Sequence, residues 1–108
     1  MNITRVKTNR QVTILSEIAK KMHIEKGNLL RLQTIGSSIL LTPMLWGDNI
    51  AKMVIVRVRE KMQITIPCGI AKETDMKEGD FIELDTTGKR IIIIPRMVVN
   101  DNRNKVKN

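Results

Sequence analysis

The stretch Met62-Gln63-Ile64-Thr65-Ile66-Pro67 decides the fold, because its core occurs earlier in the chain. Gln63-Ile64-Thr65-Ile66 answers to Gln11-Val12-Thr13-Ile14, at an offset of 52 residues. Working outward, the same offset maps Arg5-Val6 onto Arg57-Val58 and Ile18-Ala19-Lys20 onto Ile70-Ala71-Lys72. It also maps Gly27 onto Gly79, Leu32 onto Leu84, Gly36 onto Gly88 and Pro43 onto Pro95. No gap is needed between 3–43 and 55–95, and 15 of the 41 aligned positions are identical. Agreement of that kind lies far above chance, so the chain carries an internal duplication. The expected organisation is one repeat over 1–43, a joint at 44–54, a second repeat over 55–95 and a basic, disordered tail at 96–108.

Each copy predicts the same order of elements, ββαββ. Residues 3–7 and 54–59 alternate or run β-branched, which suits strands. A polar turn follows each, Thr8-Asn9-Arg10 and Glu60-Lys61-Met62, and then a second strand at 12–14 and 64–66. Short helices are expected at 16–22 and 68–74. Ser16 is placed to cap the first, with Cys68 at the matching position of the second. Pro67 suits the start of that second helix. Gly27-Asn28 and Gly79-Asp80 mark the turns that follow, and third strands are expected at 29–34 and 81–86. Gly36 and Gly88 sit at hairpin turns before fourth strands at 39–42 and 91–94.

A unit of about 41 residues is too small to stand alone without a metal, a disulfide or a partner. Yet the first copy carries Ile14, Ile18, Ile24, Leu30, Leu32, Ile39 and Leu41. Each is worth about 1.5–3 kcal/mol when fully buried. The two copies are therefore expected to share one core, with the run Ile91-Ile92-Ile93-Ile94 inside it. Exposed, that run would be an aggregation site.

Composition narrows the function. Nineteen Lys plus Arg against eleven Asp plus Glu leave a net charge of +8 on 108 residues, which points to a polyanionic partner. The surplus is uneven: net +5 over 1–46, zero over 54–95 and +3 over 96–108. In the second copy the cations lie on the first hairpin and the acids Glu78, Asp80, Glu83 and Asp85 near the third strand. One shared basic face built from both first hairpins is expected. One Trp, one Phe and no Tyr cannot build the stacking platform that single-strand and RNA binders use, so double-stranded DNA is favoured.

Other classes recede. No apolar run reaches the roughly 18 residues of a membrane span, and residues 1–10 lack the apolar stretch of a signal peptide. A single cysteine excludes an internal disulfide and any multi-cysteine metal site, His23 as the only histidine has no second His or nearby Cys with which to share a metal, and the sequence shows no plausible triad or metal cluster. The expectation is a cytoplasmic protein without cofactor, metal or enzymatic activity. His23 and Cys68 are read as structural or solvent-facing, Trp46 as a plug or interface residue of the joint, and the methionines as core filler.

The order strand, polar turn, Gln-Ile-Thr-Ile-Pro, short helix and Met76-Lys77-Glu78-Gly79-Asp80 resembles the AbrB/MazE/SpoVT superfamily. The first copy keeps Gln11-Val12-Thr13-Ile14 and Ile24-Glu25-Lys26-Gly27-Asn28, with Leu15 where the family usually has proline. The resemblance covers about 82 of the 108 residues. It implies a mainly β protein with short helices, a swapped-hairpin β-barrel in which two ββαββ units interleave their hairpins across a pseudo-twofold axis. Here both units lie on one chain, as an intramolecular pseudo-dimer, unless two chains pair into a larger homodimer.

In that family, basic residues of the first hairpin and near the short helix contact DNA. Carried over position by position, these are Arg5, Lys7, Arg10, Gln11 and Lys20 in the first copy. In the second they are Arg57, Arg59, Lys61, Gln63 and Lys72. The resemblance implies a transcriptional regulator bound to double-stranded DNA. Two alternatives stand beside it, an antitoxin whose partner is a toxin and a non-specific architectural DNA-binding protein. The tail is shorter and more basic than a toxin-binding extension.

Overall fold

The computed structural model describes residues 2–44 and 53–96. The expected joint, with Trp46, and the expected tail fall outside the described residues, save for Met44, Met53, Val54 and Arg96. Arg96 belongs to the last strand rather than to a tail.

The chain is mainly β with two short helices. In order, the elements are β1 (Ile3–Arg5), a tight turn (Thr8–Arg10), β2 (Gln11–Thr13), α1 (Ser16–Met22), β3 (Leu29–Ile35) and β4 (Ser38–Pro43). The series then repeats as β5 (Val54–Arg57), a second tight turn (Glu60–Met62), β6 (Gln63–Thr65), α2 (Cys68–Thr74), β7 (Phe81–Thr87) and β8 (Arg90–Arg96). Both helices occupy the expected residues.

Their starts differ from expectation. Leu15 and Pro67, both extended, take the cap positions without a side-chain hydrogen bond. Ser16 and Cys68 are one residue too far along to cap anything. The carbonyls of Leu15 and Pro67 accept the first helical bonds, from the Ala19 and Ala71 amides, each at 2.9 Å. Both helices end on a left-handed residue, His23 and Asp75, each at φ 56°. Bonds from Ile24 to the Ala19 carbonyl and from His23 to the Lys20 carbonyl close the end of α1.

Six strands form one antiparallel sheet in the order β1-β7-β8-β4-β3-β5, and β2 pairs with β6 in a separate two-stranded ribbon. The first strand of each copy thus pairs with the third strand of the other. Ile3, Thr4 and Arg5 oppose Glu83, Ile82 and Phe81. Ile55, Val56 and Arg57 oppose Arg31, Leu30 and Leu29 at the equivalent register. Backbone bonds extend each exchange beyond the strand. The Val6 amide donates to the Asp80 carbonyl and the Gly79 amide to the Val6 carbonyl, at 2.9 and 2.8 Å. Val58, Asn28 and Gly27 repeat the arrangement at 2.8 and 2.7 Å.

Two pairings cross the molecule between equivalent strands. In β2–β6 Val12 meets Ile64, and in β4–β8 Leu40 meets Ile92, each pair related by the offset of 52. A pseudo-twofold axis therefore runs through both pairs. Around it lies one core of twenty residues, ten from each copy, and every one matches its counterpart in the other. Val6, Val12, Ile14, Leu30, Ile39 and Leu41 stand in the first copy as Val58, Ile64, Ile66, Ile82, Ile91 and Ile93 stand in the second. The isoleucine run is only half in this core. Strand alternation buries Ile91 and Ile93 and leaves Ile92 and Ile94 half-buried on the opposite face.

Candidate nucleic-acid interface

The β2–β6 ribbon is the centre of the candidate interface. Val12 and Ile64 are fully buried, so alternation turns Gln11, Thr13, Gln63 and Thr65 to the other face. Gln11 opposes Thr65, and Thr13 opposes Gln63. The outcome is a patch of four uncharged hydrogen-bonding side chains, symmetric about the axis. The two glutamines belong to the sequence-predicted set, but the two threonines do not. Their signal was the alternation in Gln-Val-Thr, which places Thr on the face of Gln. The four are not equally available. Thr65 is exposed, whereas the Thr13 hydroxyl oxygen is buried without a partner.

The predicted cations flank this patch. Lys7 and Arg59 follow the first strands, and both are exposed. The Lys7 and Arg59 amides donate to the Gln11 and Gln63 carbonyls at 2.8 and 2.7 Å, which holds each cation against its ribbon strand. Lys61 is exposed at the second hairpin tip. Arg57, Arg59 and Thr65 gather around one cleft of roughly 370 Å³ with Leu29, Ile55 and Val56. None of the ten predicted residues is in an ion pair among the described residues.

Three of the arginines are held by specific contacts. The Arg5 guanidinium lies 4.5 Å from the centre of the Phe81 ring. Such stacking is worth about 0.5–1 kcal/mol at an exposed site and fixes the direction of the side chain. Arg57 faces Leu29 instead of a ring and donates from Nη1 to the Gly27 carbonyl at 3.1 Å. Arg10 is half-buried, and its Nε donates to the Ile66 carbonyl of the other copy at 2.9 Å. Lys20 and Lys72 stand apart from the hairpins. They are exposed on the last turns of α1 and α2.

Both hairpin tips are strained. Asn9 and Arg10 have φ 60° and 59°, and Lys61 and Met62 have φ 58° and 57°. A pair of left-handed residues matches the twist of a tight hairpin, which is why glycine or asparagine is favoured there. Arginine, lysine and methionine cost about 1–2 kcal/mol each in this conformation. Backbone strain of this kind gathers at functional positions.

Among the described residues no helix is long and apolar enough to cross a membrane. No family model matches the chain. No curated protein matches it either. Among solved structures, the solution structure of PHS018 from Pyrococcus horikoshii is similar, with a TM-score of 0.49 and 17% identity. The likeness covers 87% of this chain and 85% of that one.

Proposed function

We propose that this chain is an AbrB-like, swapped-hairpin pseudo-dimer that binds double-stranded DNA through its two first hairpins and regulates transcription. It is read as a cytoplasmic binding protein without catalytic activity or cofactor. The observation that carries this reading is the ribbon that presents Gln11, Gln63 and the exposed Thr65, flanked by cations that form no ion pair among the described residues. A two-stranded ribbon fits the major groove, where glutamine can read adenine and an exposed threonine can meet a base edge. Lysine and arginine around it neutralise phosphates and set the register. The exchange of β1 and β5 supports the swapped-hairpin part of the reading, since each hairpin is anchored in the sheet of the other copy.

Titrating duplex DNA against the full chain at several salt concentrations tests this. Affinity should fall with a log–log slope of roughly −0.9 for each phosphate neutralised. Joint replacement Arg5→Ala and Arg57→Ala should weaken binding and make the slope shallower by about 1–2. Affinity independent of salt would overturn the reading, as would no duplex binding at low salt. Equal affinity for every sequence would favour an architectural protein over a regulator.

A further inference from the structure

We propose that the two halves of this interface read different sequences, so that the chain recognises a non-palindromic duplex in a single orientation. The inference rests on the duplex-binding reading above. Two identical half-sites are the natural target of a twofold-symmetric protein, because each half presents the same groups. Here the backbone keeps that symmetry, but the side chains at the hairpin tips do not.

The part whose residue types repeat is central. Gln11, Thr13, Arg5 and Lys20 recur as Gln63, Thr65, Arg57 and Lys72. The tips differ at every position, Thr8-Asn9-Arg10 against Glu60-Lys61-Met62. At the first tip the Arg10 guanidinium is held by the Ile66 carbonyl through Nε, which leaves its Nη groups aimed from a fixed plane. At the second tip the equivalent residue, Met62, is half-buried and packs against the core. The exposed cation there is Lys61, a flexible point charge.

The surroundings of the tips are also opposite in sign. Glu78 lies beside the first tip and accepts the Asn9 amide at 2.7 Å. Its counterpart Lys26 lies beside the second and pairs with Glu60 at 3.0 Å. A fixed guanidinium can grip guanine through two parallel hydrogen bonds or enter a narrow minor groove. A lysine mostly meets phosphate. Arg10 is therefore the specificity-determining residue of the first half. Lys61 positions the second half without choosing a base.

The test selects full-length protein–DNA complexes from a pool of random 24-base-pair duplexes. The selected motif should have unlike halves. A dye on Cys68, the sole cysteine and exposed, then reports orientation by energy transfer to an acceptor at either end of a selected duplex. Unequal transfer from the two ends is expected. Arg10→Met should reduce base preference in one half of the motif by roughly 5- to 150-fold. Lys61→Ala should weaken all duplexes alike, with a salt slope shallower by about 0.9 and the motif unchanged. A palindromic motif, equal transfer from both ends, or a preference untouched by Arg10→Met would overturn the inference. So would retention of duplexes without an enriched motif, although duplex binding itself would then stand. Retention of no duplex at low salt would instead remove the reading on which the inference rests.

Discussion

Set side by side at an offset of 52, the two halves of the molecule agree throughout the shared core and diverge at their hairpin tips. All ten core positions of one half have a buried hydrophobic counterpart in the other. The turns keep their backbone angles to within a few degrees while exchanging Thr-Asn-Arg for Glu-Lys-Met. Close packing explains the first fact. Around a twofold axis the two copies fill one close-packed core, so a change of volume on one side is felt on the other. Four of the six tip residues, Thr8, Asn9, Glu60 and Lys61, are exposed, and so their side chains can change without repacking the core.

The comparison can be broken most severely inside the core. Leu41→Ala and Ile93→Ala remove equivalent, fully buried side chains, and each should cost about 2–5 kcal/mol in urea unfolding. The two losses should be similar, and unfolding should remain one transition. Two separate transitions would show that the copies are independent units.

A smaller effect is expected at the turns before β3 and β7. Gly27 and Gly79 have φ +93° and +89°, with open space where a Cβ would stand. Gly27→Ala and Gly79→Ala should therefore each cost about 1–2 kcal/mol through backbone strain alone. Markedly unequal costs would mean that the frame is less symmetric than its angles. In the opposite direction, Lys61→Gly relieves a left-handed lysine. It should raise stability by about 0.5–1 kcal/mol after the loss of chain entropy, while weakening duplex binding. An unchanged affinity would remove Lys61 from the interface.

The smallest effect belongs to the one ion pair that exists at only one tip. Lys26 and Glu60 are 66% and 79% exposed, and a double-mutant cycle should give a coupling below about 1 kcal/mol. A larger value would mean that the second tip is stiffened by charge in a way the first is not.

Much of this fold could be read from residue order. Helix limits at 16–22 and 68–74 followed from flanking turn residues and apolar spacing, and the shared core followed from units too small to stand alone. Ser16 misled because a serine one position inside a helix looks the same in sequence as a serine at its cap. The isoleucine run misled because four apolar residues in a row hide the period of two that a strand imposes. The exchange of first strands has no local signal. Three or four residues pair with a partner distant in sequence, and nothing in their own composition marks that partner. Within the interface, the type of residue at Arg10 was legible, but not its bond to the Ile66 carbonyl. That bond depends on which element of the other copy passes beside the tip.

The exchange of β1 also sets an order of events during synthesis. Ile3 opposes Glu83, about 80 residues later in the chain. At 5–20 residues per second, β1 is made roughly 4–16 s before its partner. Throughout that interval Val6, destined for the core, has no strand to carry it there. β1, made before its partner, is therefore among the last strands to dock, and the nascent first copy stays unfinished until the second has emerged.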